Sequence, residues 1–178
     1  ENIISDAAGN LNTKSQEFNW VYDARPLNIV SISSTDVVLN GSTNKETIII
    51  DFTVSERIFL LTSAIFITTN CSINSLNQLI NDDKSYRLSV TASSPNSSCV
   101  IQFDSTQNLT TGLNLSKQIG GTNLTFNWTF DNIPPTMRII SSTQQNNVIS
   151  NLGSIDISFI SSKETTDFTT DSISITGD

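Results

Sequence analysis

One block of alternating aromatic residues occurs twice, and this repeat limits what the chain can fold into. Phe126-Asn127-Trp128-Thr129-Phe130-Asp131, followed by Pro134-Pro135, answers Phe18-Asn19-Trp20-Val21-Tyr22-Asp23, followed by Pro26. Asn19 and Asn127 are 108 residues apart. The surrounding stretches repeat too. Asn28–Ser34 matches Met137–Ser142, Asp51–Ser55 matches Ser158–Ser162, and Ala64–Thr68 matches Ser172–Thr176. Asp6–Leu11 resembles Asp104–Leu109 at an offset of 98, so the central unit carries about ten extra residues before its last strand.

These matches divide the chain into three pieces. Residues 1–25 read as the closing strands of one unit, 26–131 as a complete unit, and 132–178 as the opening half of a third. A unit of roughly 100 residues is large enough to bury its own core. A sheet cut midway leaves an open edge and half a core. The expectation is therefore an excerpt of a longer chain, or ends completed by neighbours. In the second case, successive molecules add strands to one another and build a head-to-tail filament.

Within 26–131 the hydrophobic pattern predicts seven strands: 27–33, 47–54, 64–69, 71–76, 86–91, 99–104 and 124–130. Ile48, Ile50, Phe52 and Val54 alternate with polar neighbours, as do Leu124, Phe126, Trp128 and Phe130. Period-two alternation means one buried face and one wet face. Asn40-Gly41, Asn81-Asp82-Asp83, Ser94-Pro95-Asn96 and Gly120-Gly121 supply turns. Short strands with turns at intervals of about ten residues point to an all-β sandwich. Trp20 and Trp128 lie on alternating aromatic faces, which favours core packing over a sugar-stacking surface.

The Asp6–Asn10 block (Asp-Ala-Ala-Gly-Asn), the aromatic strand ending in Asp23 or Asp131, and the proline entry resemble bacterial-type immunoglobulin-like repeats. So do Ser162–Phe168 and Asp171–Gly177. The resemblance covers nearly the whole chain. It implies tandem immunoglobulin-like β-sandwiches, one complete and two partial, of the kind that builds surface adhesins and extracellular stalks. Function follows weakly, because this fold serves as a spacer as often as a binder. The antibody pattern, with a tryptophan between two cysteines, is not met, since both cysteines precede Trp128.

Cys71 and Cys99 are the only cysteines. In an oxidising compartment they are expected to form a disulfide closing a loop of about 29 residues. Asn-x-Ser/Thr acceptors for N-glycosylation occur at Asn40, Asn70, Asn96, Asn108, Asn114, Asn123 and Asn127. With 20 Asn and 49 Ser plus Thr, chance alone gives about as many, so their placement matters more than their number. Asn123 and Asn127 fall on the face opposite Trp128, where a glycan would point to solvent.

Asp6, Asn10, Asp23, Asp104 and Asp131 cluster near the seams. Hard oxygen ligands at such junctions suit structural calcium, the one cofactor expected, and related adhesin arrays use calcium this way. Acidic turn residues also form turns without any metal.

A net charge of −8 argues against nucleic acid and anionic lipid as partners. The longest apolar stretch, 58–67, is too short to insert in a membrane. With no histidine there is neither a Ser-His-Asp triad nor a His-centred metal site. Asp82-Asp83 reads as a solvated turn, not a glycosidase pair. The expectation is a non-catalytic, extracellular or cell-surface structural glycoprotein that acts as a spacer or filament module. Its partners are neighbouring repeats. The alternative is an adhesin or carbohydrate-binding module using the inserted stretch 110–122.

Overall fold

The computed structural model describes residues 4–112, 115–122 and 124–176. The strands, in chain order, are β1 (Leu27–Ser34), β2 (Ser42–Thr43), β3 (Thr47–Val54), β4 (Phe66–Thr69), β5 (Cys71–Gln78) and β6 (Ser85–Ala92). They continue with β7 (Ser97–Phe103), β8 (Asn108–Thr110), β9 (Ser116–Gly120), β10 (Thr125–Phe130), β11 (Met137–Ile140) and β12 (Ser158–Ser161). Single 3-10 turns occupy Ser63–Ile65 and Thr170–Ser172.

The residues from Leu27 to Phe130 form two sheets that share one core. The larger has the order β5-β6-β3-β1-β9-β8, the smaller β2-β10-β7-β4. The alternation read from sequence is realised as burial. Ile48, Ile50, Phe52 and Val54 of β3, with Tyr86, Leu88 and Val90 of β6, face Cys99, Ile101 and Phe103 of β7 and Phe126, Trp128 and Phe130 of β10. Phe52 anchors the inter-sheet contact. It stacks on Tyr86 at 5.3 Å between ring centroids and meets Phe103 edge-on at 5.1 Å.

All seven expected strands are present, with small shifts at their ends. The third begins later than expected, because Ser63–Ile65 turns as a 3-10 segment before Phe66 pairs with Phe103. Three strands lacked a readable signal. β2 and β8 are only two and three residues long, and β9 lies in the inserted stretch.

The chain enters and leaves this sandwich at opposite poles. Leu27 opens β1 at the end where Ile29 pairs with Val54, the last residue of β3. Phe103 and Phe66 lie at that same pole, since β4 runs from the Phe103 pairing to Thr69 opposite Val100, then crosses through Asn70 to Cys71 opposite Ala92. β10 runs the other way, from Thr125 opposite Gln102 to Phe130 opposite Ser97, so Asp131 leaves at the far pole. The crossing at Asn70 needs a left-handed backbone (φ 55°), which asparagine tolerates better than most residues.

Outside the sandwich, β11 and β12 pair antiparallel, as β1 and β3 do. Their positions follow Ile29–Ile32 and Asp51–Val54 at offsets of 108 and 107, and the 3-10 turn at Thr170–Ser172 follows Ser63–Ile65 at 107. Before β1, among the described residues, the β pairing is an isolated bridge from Ser5 to Leu11. Here the alternation misled. Trp128 is 1% exposed, but Trp20, in the same motif, is 72% exposed, because no strand or opposing sheet covers 18–22 among the described residues. No helix among the described residues is long and apolar enough to cross a membrane.

Candidate functional site

Asp6 and Asn10 lie in the segment before β1, Cys71 and Cys99 in the core, and the other described residues singled out by sequence at the ends of the sandwich or on its outer faces. At the entry pole, Lys117 of β9 points inward beside Ile119 and is buried. A buried ammonium needs a counter-charge. It donates to Asp23 at 2.9 Å and also to Glu56, just past β3. Arg25 folds back on the same carboxylate, with Nε donating to Oδ1 at 2.9 Å and Nη2 to Oδ2 at 3.0 Å. The Arg25 guanidinium first, then Lys117, holds the Asp23 carboxyl well below the usual carboxylate range. Glu56 and Asp23 in turn raise the Lys117 ammonium above its ordinary value.

The exit pole repeats the device with a different lysine. Asp131 follows β10, and Lys163 follows β12. The Lys163 ammonium donates to both Asp131 oxygens, at 2.6 and 2.7 Å, and to the Ile133 carbonyl at 2.6 Å. The carboxylate and a backbone carbonyl therefore both accept from the ammonium. The Ile133 amide also donates to Asp131 at 3.1 Å. Lys163, then this amide, holds Asp131 below the usual range.

The oxygen ligands expected to hold calcium near the seams have the following partners. Asp23 and Asp131 are each engaged by an ammonium. Asp104 sits at the opposite pole from Asp131 and closes its own turn, accepting from the Thr106 amide and hydroxyl and from Gln107. Asp6 does the same for Ala8 and Asn10, and the Asn10 side chain donates to Asp6. Among the described residues no group of three or more His, Cys, Asp or Glu is placed to hold a metal ion.

The disulfide expected between Cys71 and Cys99 is not present, and both are free, buried thiols. They lie close together where the chain crosses between sheets. Cys71 Sγ donates to the Val100 carbonyl and Cys99 Sγ to the Asn70 carbonyl, each at 3.3 Å. Each thiol thus has a backbone acceptor next to the other cysteine. Burial, then the neighbouring Cys99, pushes the Cys71 thiol up to about 11.

The asparagine acceptors divide by environment. Asn96 and Asn108 are exposed, in a turn and on a sheet-edge strand respectively. Asn70 is exposed, but its amide donates to the Ser98 carbonyl at 2.9 Å. Asn127 does face outward from Trp128. It is half-buried, and its amide donates to the Asn40 side chain at 2.6 Å. Asn114 and Asn123 lie outside the described residues.

Sequence reasoning missed Lys117, Glu56 and Lys163. Lys117 is 94 residues from Asp23, so no local spacing could pair them. The only available signal was the alternation of Lys117 with Ile119 on a strand that went unrecognised.

Fold and joints together define an all-β chain in which a two-sheet sandwich is clamped at each pole by an aspartate–lysine contact. Comparison with known proteins gives no match to a family model, to a curated protein or to a solved structure.

Proposed function

We propose that this chain is a run of immunoglobulin-like β-sandwich units from a secreted or cell-surface glycoprotein, and that its work is mechanical. It spaces and stiffens, and carries out no catalysis. The observation that carries the reading is the polar entry and exit of the central sandwich. A unit whose chain arrives at one end and departs from the other strings end to end with its neighbours. Three structural correspondences at offsets of 107 and 108 support the repeat: one strand, a second strand paired with it, and a 3-10 turn. The exposed faces of Asn96 and Asn108 suit glycans on such a string.

The surface area points the same way. The chain exposes 12903 Å², against roughly 8500 Å² for a compact protein of its mass. Small-angle scattering of the 178-residue chain tests this. The expected radius of gyration lies well above the ~16 Å of a compact chain of this length. A value near that figure contradicts the reading.

One observation favours a ligand-binding role as the second reading. Phe59 and Leu60 are exposed beside β8, next to the inserted stretch, with the Arg57 guanidinium 5.5 Å from the Phe59 ring centre. An apolar depression with a cationic rim suits the docking of a surface ligand.

A further inference from the structure

We infer that each joint between successive units is closed by a lysine ammonium lodged in the oxygen cage of the seam aspartate, so that the string is stiffened by a built-in cation in place of a bound metal. The inference rests on the proposed division into units. It adds the residues that couple them, and a chemistry different from the one the acidic seams suggest.

The two seams supply independent instances. In both, the aspartate that ends the aromatic motif belongs to one unit and its lysine to the next. At the exit seam the Lys163 ammonium straddles both Asp131 oxygens and also donates to the Ile133 carbonyl, all within 2.7 Å. Carboxylate and carbonyl oxygens are also what a hard metal ion would recruit. With the ammonium seated there, a divalent cation would meet a like charge in its own coordination sphere. At the entry seam the lysine is deeper. Lys117 donates to Asp23 and Glu56, and Arg25 covers the outer side of Asp23.

The position of the lysine follows from the repeat. Glu56 follows β3, and its counterpart 107 residues on is Lys163, which follows β12. Where that position is acidic, a second lysine is brought in from β9 to sit between the two carboxylates. Where it is lysine, the aspartate is met directly. Two different residue sets thus place an ammonium on the same seam carboxylate. The prolines that follow, Pro26 and Pro134-Pro135, fix backbone φ in the linker and reduce the freedom the ammonium must suppress. Charge-assisted contacts of this kind, several to one group, hold geometry better than an isolated surface pair.

The test is backbone 15N relaxation on the 178-residue chain, first in EDTA and then with added calcium chloride. The expected result is one common tumbling time for amides of β11 and β12 and those of β3 and β7, unchanged by calcium. Lys163→Met and Asp131→Asn, which alter the two sides of the joint separately, should each let β11 and β12 tumble faster than the sandwich. In both variants the β3 and β7 chemical shifts stay unchanged, and Lys163→Arg retains the common time. Independent tumbling in the wild-type chain overturns the inference. So does a common time that appears only with calcium, or one that survives both Lys163→Met and Asp131→Asn. A compact radius of gyration would instead strike the reading of the chain as strung units, whatever the relaxation shows.

Discussion

Replacing Trp128 by alanine is expected to cost about 3–5 kcal/mol, whereas the same change at Trp20 should stay within about 0.5 kcal/mol. The two tryptophans occupy the same place in the same motif, so residue type and local sequence cannot account for the difference. Trp128 lies opposite Cys99 on the inner face of β10 and is packed beside Phe126, at 6.1 Å between ring centroids. Removing its indole opens a cavity between two sheets that are held on both sides. Trp20 is mostly solvated and touches Tyr22 edge-on at 6.3 Å. The indole N–H of Trp128 is buried with no acceptor among the described residues, so Trp128→Phe loses no hydrogen bond. It should recover much of the alanine loss. Urea denaturation followed by far-ultraviolet circular dichroism, which follows loss of the sheets in each variant, reads all three. Equal effects at positions 20 and 128 would mean that the two motifs are in the same environment.

The second large effect concerns the thiols. Cys71 and Cys99 should react with Ellman's reagent in the native protein at least about 10³-fold more slowly than in the unfolded chain, because reaction has to wait for opening. Both lie in the core, with their thiol protons directed at backbone carbonyls. The thiolate is the nucleophile, and Cys71 is pushed up to about 11 by burial first and then by Cys99. The same shift makes stability depend on pH. Above the ordinary thiol range the unfolded chain has released its Cys71 proton while the folded chain retains it. Unfolding free energy therefore falls as pH rises towards 11, and this contribution is constant below the thiol range. Tyr86, raised chiefly by burial, acts with the same sign at higher pH. Urea midpoints at neutral pH and near pH 11 check the direction. Fast labelling of both thiols in the native chain would show that the crossing at Asn70 is open.

The strands most readable in the sequence are those whose alternation is enforced by a two-sided core. β3, β6, β7 and β10 each place three or more apolar side chains on one face, and a shift of one residue would turn them all to water. β9 escaped notice because its inward positions are Lys117 and Ile119, and a lysine at an inward position reads as a break in the pattern. Carboxylates 61 and 94 residues away, Glu56 and Asp23, make that lysine tolerable, and contacts at such separations leave no trace in local spacing. The seam aspartates were legible as a cluster for the same reason that their partners were not. Acidic residues recur at fixed places in the motif, while the ammonium comes from β9 at one seam and from beyond β12 at the other. The cysteines illustrate a different limit. Two cysteines brought together from facing sheets allow either a bridge or a dithiol, and sequence spacing does not distinguish the two.

One aromatic motif serves as a closing core strand in the sandwich and stands uncovered before it. Hydrogen–deuterium exchange on the 178-residue chain compares the two directly. The 126–130 amides bonded within the sheet are expected to exchange only with global unfolding, and amides of 18–22 at nearly the rate of a free peptide. Equal protection of the two stretches, or rapid exchange of 126–130, would contradict it.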